Sequence, residues 1–424
     1  MSERRGARSI LLVLFLFLIL SSPLFAQYRF PQPEFTEGYA YLQNELPRPP
    51  NLIWDYIDCA LLLAGLIASA LISYKYRKRL YILALMLLSL VYFGFVRKGC
   101  FCPIGAMQPV MEALFNPEIV IPLSNIIFFA LPLIFALFLG RVFCSGVCPL
   151  GALQDFVLIK NIRLPKTLAA ILEMLPPVFL SLALISAITG SEYLICTLDP
   201  FVPLFRASFG HSPVMYSALW LISSLFIARP YCRFLCPYGF LLKLASSVSK
   251  YRMVTTPAEC VSCRLCENSC PIDALEIPDA DHEVIKKGKS RLRIKFFILP
   301  VLIAAAALWG RMMGPYLSEL HPDVRLAGYF EDPNEANELD REIYLATENT
   351  LEELEITKDA VMKEWTMFAT VFGAVLGLFL GLKLIMAERK REEYIPSKGG
   401  CVHCLRCVEH CPVEARERKQ RGIR

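Results

Sequence analysis

The sequence predicts an all-α polytopic membrane protein of about seven transmembrane helices, and three observations support this fold class. Apolar residues make up 55% of the 424 residues and charged residues only 20%. The mean hydropathy of +0.46 lies far above that of soluble domains. Seven apolar stretches are each long enough to cross a hydrocarbon layer of about 30 Å, and basic residues concentrate in alternate connections between them.

The chain begins with a segment that resembles an export signal. Residues 1–26 contain a basic start, an apolar centre and the small residue Ala26, which predicts either a signal peptide or a retained anchor helix. Residues 27–52 are rich in proline and aromatic residues. We expect them to form an exported arm with no core of its own.

The seven apolar stretches are predicted to be helices, because backbone polar groups find no other partners in lipid. They lie at 53–74, 80–96, 119–139, 168–190, 214–230, 296–313 and 365–386. The first five form a predicted membrane core over residues 53–250. The last two belong to residues 296–386 and are joined by an acidic loop, residues 314–364, which we expect on the exported side.

The distribution of Lys and Arg predicts the orientation. Most of the 44 basic residues lie after the first, third and fifth stretches and in the C-terminal tail, so these segments are expected in the cytoplasm. The prediction is a multi-pass protein of a bacterial inner membrane, in contact with lipid, with an exported N-terminus and a cytoplasmic C-terminus. The near balance of 44 basic and 39 acidic residues argues against a nucleic-acid partner.

Two cysteine runs carry the strongest chemical pattern. Each repeats the spacing C-x2-C-x2-C-x3-C-P of bacterial ferredoxins, one within residues 251–295 and one within 387–424. The cysteines are Cys260, Cys263, Cys266 and Cys270, and then Cys401, Cys404, Cys407 and Cys411. Zinc is the alternative, but its sites use two separated pairs of ligands. The runs therefore predict two [4Fe–4S] clusters.

The two runs are expected to form one ferredoxin-like α+β domain from two separate segments, since both fall on the predicted cytoplasmic side. In two-cluster ferredoxins the fourth cysteine of each run binds the other cluster. The hypothesis is a crossed arrangement of two ligand sets. The first ligand set is Cys260, Cys263, Cys266 and Cys411, and the second ligand set is Cys401, Cys404, Cys407 and Cys270.

An internal repeat adds a second cysteine pattern, RVFCSGVCPLGAL from Arg141 and RPYCRFLCPYGFL from Arg229. Each copy is expected to end a membrane helix at the cytoplasmic side, since proline and glycine stop helices. Cysteines four apart share a helix face, so the four sulfurs should converge as a further cluster or as redox dithiols. These four are Cys144, Cys148, Cys232 and Cys236. The alternative is a helix terminator that carries small apolar cysteines.

A partial third copy, KGCFCPIGAMQ, contains Cys100 and Cys102. With Cys59 and Cys196 they are expected at the outer side, where they would form disulfides or hold a metal. None of the five histidines lies in an apolar stretch, which argues against haem between membrane helices. The chain has no phosphate-binding glycine loop or dinucleotide fingerprint.

With these residues in view, the chain resembles the NapH/NosR-type membrane ferredoxins, also called polyferredoxins. The matching positions are both CxxxCP motifs, with Pro149 and Pro237, and the eight cysteines of the two runs. The resemblance implies electron transfer at the cytoplasmic membrane, with members passing quinol-derived or cytoplasmic electrons to exported reductases. Unlike the NapH-like pattern, two helices and an acidic loop separate the two runs here.

The leading interpretation is a membrane-bound iron–sulfur protein that relays electrons between a cytoplasmic or quinol donor and a membrane or exported acceptor. Its partners would be redox proteins, an exported reductase among them, and no substrate bond chemistry is required. Because about 30 Å of hydrocarbon is too thick for one electron hop, a quinone or the CxxxCP thiols must carry electrons that cross. The alternative is a maturation or metal-handling redox factor for an exported metalloprotein, for which Cys100 and Cys102 are the discriminating residues.

Overall fold

The structure is a computed structural model that describes most of the chain beyond residue 51. The described residues are 52–99, 102–117, 119–191, 193–206, 211–251, 253–254, 260–261, 263–276, 288–331, 340–341, 344–345, 350–386 and 394–414. The predicted signal segment, almost all of the predicted arm, and Cys100 lie outside this part of the chain.

The described residues are mostly helical, as predicted. The first part contains α1 (Leu52–Leu71), α2 (Arg79–Ser89), α3 (Pro103–Phe115), α4 (Leu123–Leu139), α5 (Val142–Gly146), α6 (Pro149–Val157), α7 (Lys166–Leu172), α8 (Leu175–Ile188), α9 (Leu194–Leu198), α10 (Val202–Arg206), α11 (His211–Phe226), α12 (Pro230–Phe234) and α13 (Pro237–Ser247). The second part contains α14 (Leu265–Ser269), β1 (Leu275–Glu276), α15 (Gly288–Leu317), α16 (Pro322–Glu331), α17 (Leu351–Met386), β2 (Ile395–Pro396) and α18 (Arg406–Glu409). Two π-helical turns, Ile72–Tyr76 and Leu90–Val96, extend α1 and α2.

Five helical segments are long and apolar enough to cross a membrane. They are Ile53–Tyr76, Arg79–Val96, Thr167–Ile188, Ile298–Leu320 and Leu351–Gly381. Two shorter apolar helices, Leu123–Leu139 and Val214–Phe226, coincide with the two remaining predicted stretches. The membrane character and the helical class are therefore confirmed, and the count of seven crossings stays a prediction. The last span begins at Leu351, so part of the predicted acidic loop belongs to this helix.

Glycines set the close packing of α15 against α17. A Cβ added at Gly314 would lie 2.5 Å from the Thr366 Cα, and one at Gly377 would lie 2.6 Å from the Leu302 carbonyl oxygen. Small residues let backbones approach in this way where lipid replaces the hydrophobic driving force between helices. The α15–α17 pair is thus held by backbone contact.

We expect Gly377→Ala to destabilise this pair by about 1–3 kcal/mol, the usual cost of overpacking. The added methyl group meets the backbone of α15 and has no flexible side chain to displace. Thermal unfolding of the full chain in detergent measures the effect. Gly328→Ala is the control, because nothing lies within 4 Å of its Cβ position. Equal melting temperatures for the two variants would contradict the packing described here.

The first CxxxCP copy directly follows α4, as predicted, but it turns inward instead of leaving the bundle. The chain turns at Gly140, with φ 71°, and α5 then runs back into the bundle. Val147 reaches Gly65, where an added Cβ would lie 3.2 Å from Val147 Cγ2. The Ser89 hydroxyl donates to the Val147 carbonyl. Because Gly65 is central in the span Ile53–Tyr76, the Cys-Pro corner lies near the middle of the bundle.

The second copy turns inward in the same way. Tyr238, directly after the Cys-Pro corner, donates from its hydroxyl to the Phe129 carbonyl within α4 at 2.7 Å. Its ring packs edge-on against Phe143 of the first copy, with ring centroids 6.1 Å apart. The two repeats therefore meet inside the bundle, and a chain reversal follows each helix that precedes them.

A two-stranded antiparallel sheet joins the segments that carry the two cysteine runs. Leu275 pairs with Pro396 and Glu276 with Ile395, and the Ser397 N–H donates to the Ala274 carbonyl at 2.8 Å. The helices that follow the runs' central cysteines, α14 and α18, also pack against each other. The two segments are thus brought together at one end of the bundle, here called the ferredoxin end.

Candidate redox centre

The first cysteine run lies beside the last cysteine of the second run. Burial raises the pKa of the Cys266 thiol, and the nearby thiols of Cys411, Cys260 and Cys263 raise it further. Cys411 therefore lies close to Cys266, which precedes it by more than a hundred positions along the chain. The structure brings together all four residues that the spacing assigned to the first ligand set.

The second run shows the reciprocal arrangement. Burial raises the pKa of the Cys407 thiol well above its ordinary value, and Cys404, Cys401 and Cys270 add to the effect. Cys404 also acts on the Cys270 thiol, whose pKa burial raises. Cys270 of the first run therefore lies within electrostatic reach of Cys401, Cys404 and Cys407, and its place in the second ligand set stays a prediction.

Both runs share one local backbone form. Arg264 and Leu405 each follow the second cysteine of their run and adopt left-handed φ values of 58° and 60°. A short helix then begins, α14 after Arg264 and α18 after Leu405. Strained backbone of this kind persists where the surrounding structure over-determines it. The two runs therefore share one left-handed turn before their short helices.

The donor chemistry of the two sets fits iron–sulfur clusters. Among the described residues, no three His, Cys, Asp or Glu side chains are arranged to hold a single metal ion. Four thiols in each set are the ligand type and number of a [4Fe–4S] cluster. The Ala274 N–H donates to the Cys270 sulfur at 3.3 Å, a bond that favours a thiolate at this position. Because the thiol pKa values are raised, cluster binding must release protons.

His403 anchors the second run to the membrane bundle. Its ring is buried against Gly140, where an added Cβ would lie 2.6 Å from the His403 Cε1. The Tyr74 hydroxyl lies 3.1 Å from His403 Nε2 and donates to the Leu139 carbonyl. Burial, with Arg141 nearby, lowers the pKa of His403 to about 4, so the ring is neutral. His403 thus forms a structural contact between the second run and the bundle.

The four CxxxCP cysteines converge inside the bundle and are called the four-thiol group below. Cys232 and Cys144 both act electrostatically on the thiols of Cys148 and Cys236. Polar donors reach three of the sulfurs. Gln154 Nε2 lies 3.3 Å from Cys232, the Gly239 N–H 3.2 Å from Cys236, and Arg141 3.8 Å from Cys144. The predicted convergence is present, at a greater depth than predicted.

The Cys-Pro-x-Gly sequence explains how each inner sulfur is presented. Cys148 and Cys236 are the N-cap residues of α6 and α13, and proline opens each helix. A Cβ at Gly239 would lie 3.3 Å from both the Cys232 carbonyl oxygen and the Cys236 sulfur. Glycine therefore leaves room for the sulfur over the helix N-terminus, where free N–H groups and the helix dipole favour negative charge.

The arginine that opens the second repeat binds the two copies together. Arg229 is 1% exposed and donates to the Cys144 carbonyl at 2.7 Å and to Asp155 Oδ2 at 2.7 Å. Arg406 of the second run reaches the other Asp155 oxygen at 3.5 Å. Burial opposes ionisation of Asp155, but Arg229 and Arg406 outweigh it and lower its pKa.

Sequence reasoning noted the repeated arginine but missed Asp155. The position 88 residues later is Lys243, so comparison of the two copies gives no sign of a shared carboxylate. Arg141, the arginine of the first copy, donates to the Gly399 carbonyl at 3.4 Å. Both arginines thus connect the repeats to the segment that carries the second ligand set.

A small cavity is lined by residues of both the CxxxCP repeats and the segment that carries the second cysteine run. It has a volume of about 70 Å³, and its lining includes Arg141, Arg229, Cys232, Cys236 and Gly400. The cavity brings both repeat arginines and two of the four sulfurs to one face of the second cysteine run. Arg229 in this lining lies within electrostatic reach of both Cys232 and Cys404.

Comparison with known proteins points to the same residues. The profile of a family described as a 4Fe-4S binding domain matches residues 121–165 and 210–253, the ranges that contain the CxxxCP motifs. The putative electron transport protein YccM of Escherichia coli is 26% identical over 33% of this chain and 43% of its own length. Protein NirI of Paracoccus denitrificans and regulatory protein NosR of Pseudomonas aeruginosa are each 31% identical over 33% of this chain. Over these repeats the chain is therefore similar to members of the NosR/NapH-type membrane ferredoxins.

The part of the chain that carries the two repeats thus matches a 4Fe-4S binding domain. The matched region covers 22% of NirI and 21% of NosR, so the chain spans less than half the length of the three relatives named. No solved structure matches the chain. The family profile falls on the two repeats, which makes the four-thiol group part of the family's defining region.

Proposed function

We propose that this protein relays single electrons between a cytoplasmic or quinol donor and a membrane or exported acceptor. Two [4Fe–4S] clusters would be held by the first and second ligand sets, which supply one-electron redox chemistry when loaded. The observation that carries the proposal is the exchange of fourth cysteines, with Cys411 beside the first run and Cys270 beside the second. Such an exchange is the arrangement of two-cluster ferredoxins.

The four-thiol group would be the next electron carrier after the two clusters. Arg229 lies within electrostatic reach of Cys404 and Cys232 and donates to the Cys144 carbonyl, so one buried side chain links both groups of thiols. The match to a 4Fe-4S binding domain over the repeats favours a third cluster there over simple dithiols. The central depth of the Cys-Pro corners supports a role in carrying electrons into the hydrocarbon layer.

The charge pattern supports the ferredoxin end as the cytoplasmic one. The tail and the connections at that end carry most of the basic residues, and a reducing compartment keeps cluster thiolates from oxidising. Electrons would then enter at the ligand sets and leave toward the exported side, or travel in reverse. The similarity to NirI and NosR supports redox proteins as partners.

Anaerobic purification of the full chain tests the cluster content. We expect about eight iron atoms and as many sulfides if only the two ligand sets are loaded, and about twelve if the four-thiol group also holds a cluster. Electron paramagnetic resonance during a redox titration should resolve one signal for each loaded site. Stoichiometric zinc in place of iron would contradict the proposal.

Electron crossing is tested separately in sealed vesicles. The full chain is reconstituted, an electron acceptor is enclosed, and reduced ferredoxin or a quinol is added outside. We expect reduction of the enclosed acceptor, and vesicles containing the Cys148→Ser variant should be slower. Loaded clusters with no transfer from either donor would contradict the relay.

A further inference from the structure

A second cavity lies at the end of the bundle opposite the ferredoxin end. Its volume is about 190 Å³, and its lining includes Cys102, Cys196, Asp199, Arg206 and Tyr193. The relay proposed above uses none of these residues. The cavity, here called the thiol cavity, thus contains two thiols, a carboxyl group and a guanidinium group.

Cys102 joins the thiol cavity to the four-thiol group. It is the N-cap residue of α3, with Pro103 next, and the N–H groups of Ile104 and Gly105 bond to its sulfur. It thus repeats the Cys-Pro-x-Gly helix start of the two CxxxCP copies. Its thiol acts electrostatically on Cys148 and Cys236. Three helix N-termini of one form therefore direct sulfur toward the same interior region.

Cys196 supplies an accessible sulfur on the other side of Cys102. It is exposed, whereas Cys102 is half-buried, and the two thiols interact electrostatically. Both flank Gly105, since an added Cβ there would lie 3.7 Å from the Cys196 sulfur. A thiol–disulfide exchange site contains an exposed thiol that attacks the partner disulfide and a less exposed thiol that then resolves the mixed disulfide.

Proton-carrying groups line the same route. Asp199 is 8% exposed, accepts a hydrogen bond from the Phe201 N–H at 2.9 Å and lies within electrostatic reach of Cys102. Burial raises its pKa to about 6. The buried Tyr231 hydroxyl makes no hydrogen bond within the described part of the chain, and Asp199 and Cys236 both act on it. Asp199 near Cys102 and Tyr231 near Cys236 thus supply ionisable groups beside both thiol sites.

We propose that Cys102 and Cys196 form a redox-active dithiol that passes electrons from the four-thiol group to a disulfide of a partner protein. This inference rests on the proposed relay and names the chemical class of its acceptor. The Cys196 thiolate attacks one sulfur of the partner disulfide, which forms a mixed disulfide and releases one partner thiol. Cys102 then attacks Cys196, which forms the Cys102–Cys196 disulfide and releases the second partner thiol.

Two electrons and two protons complete the cycle. The electrons arrive one at a time from the four-thiol group, cleave the Cys102–Cys196 bond and restore both thiols. The partner disulfide gains two electrons and two protons in total, so the exchange is balanced.

Peptide mapping of the unsubstituted full chain is the first test. After oxidation with a disulfide reagent and alkylation of free thiols, we expect a peptide that links Cys102 to Cys196, and its loss after reduction of the clusters with dithionite-reduced ferredoxin. Cys102 linked to Cys100 instead, or recovered only as free thiol, would overturn the proposal.

Trapping of the mixed disulfide is the second test, with a biotin-labelled peptide disulfide as probe. Without a resolving sulfur, Cys102→Ser should accumulate about tenfold more probe on Cys196 than the unsubstituted chain, and Cys196→Ser should trap none. Cys59→Ser is the matched control, because this buried thiol contacts the Ser124 carbonyl at 4.0 Å and lies outside the cavity lining. Iron content is measured in every sample. Normal iron without trapping would overturn this inference alone, whereas absent iron would overturn the proposed relay.

Discussion

Replacing Cys411 with serine is expected to abolish the cluster of the first ligand set and to leave the second one loaded. Cys411 belongs to the second run by sequence but lies beside Cys266 in the fold, so its loss removes one of four thiolates from the distant run. Iron in the anaerobically purified protein should fall by roughly four atoms per chain. The signal that remains should match that of a Cys260→Ser variant.

The reciprocal variant and a control complete this experiment. Cys270→Ser should give the spectrum of Cys401→Ser, since Cys270 acts on the thiols of the second run. Cys59→Ser changes a buried thiol remote from both sets and should keep the full iron content. If Cys411→Ser instead resembled Cys401→Ser, each run would bind its own cluster and the crossed assignment would be wrong.

The Arg229→Met variant is expected to lose about 3–5 kcal/mol of stability, because it leaves the Asp155 carboxylate buried without its main partner. Arg229 and Asp155 have side chains that are 1% and 3% exposed, so water cannot replace the lost ion pair. Thermal unfolding in detergent and the yield of folded protein measure the effect. Lys243→Met is the control, since its pair with Glu173 is partly exposed at 3.4 Å and such pairs contribute about 1 kcal/mol or less.

A second substitution separates the charge from the shape of the site. Adding Asp155→Asn to Arg229→Met removes the stranded charge and should recover part of the loss. The pKa of Asp155 is lowered from 3.8 in the folded protein, so its stabilising effect is complete above this value and disappears as the pH falls below it. The unsubstituted chain should therefore lose stability below about pH 4, and the double variant should lose less. Equal acid sensitivity would contradict the ion pair.

The sequence predicted the helices and the neighbouring thiols because both depend on short-range patterns. The length of an apolar stretch identifies a helix that can cross lipid. The cysteine spacing of a ferredoxin run identifies a short segment that can bind a cluster. The proximity of Cys411 to Cys266 follows from this spacing once both runs fall on the same side. The ligand assignment itself stays a prediction until iron is measured.

The depth of the CxxxCP corners was not predictable in the same way. Proline and glycine after Cys148 predict that a helix stops there. They do not predict whether the chain then leaves the membrane or folds back into it, because the following residues are equally apolar in both cases. The outcome depends on long-range fits such as Val147 against Gly65. Cys102 lines the cavity at the end opposite the ferredoxin end, and its thiol also acts electrostatically on Cys148 and Cys236.

The pairing of β1 with β2 imposes an order on biosynthesis. Residues 277–394, with the two long helices α15 and α17, are synthesised between the paired strands. With the proposed ligand sets, neither cluster site would be complete until residues 401–411 have been synthesised and both helices have been inserted. The proposed assignment therefore predicts that a nascent chain arrested before Cys401 carries no complete ferredoxin-type centre.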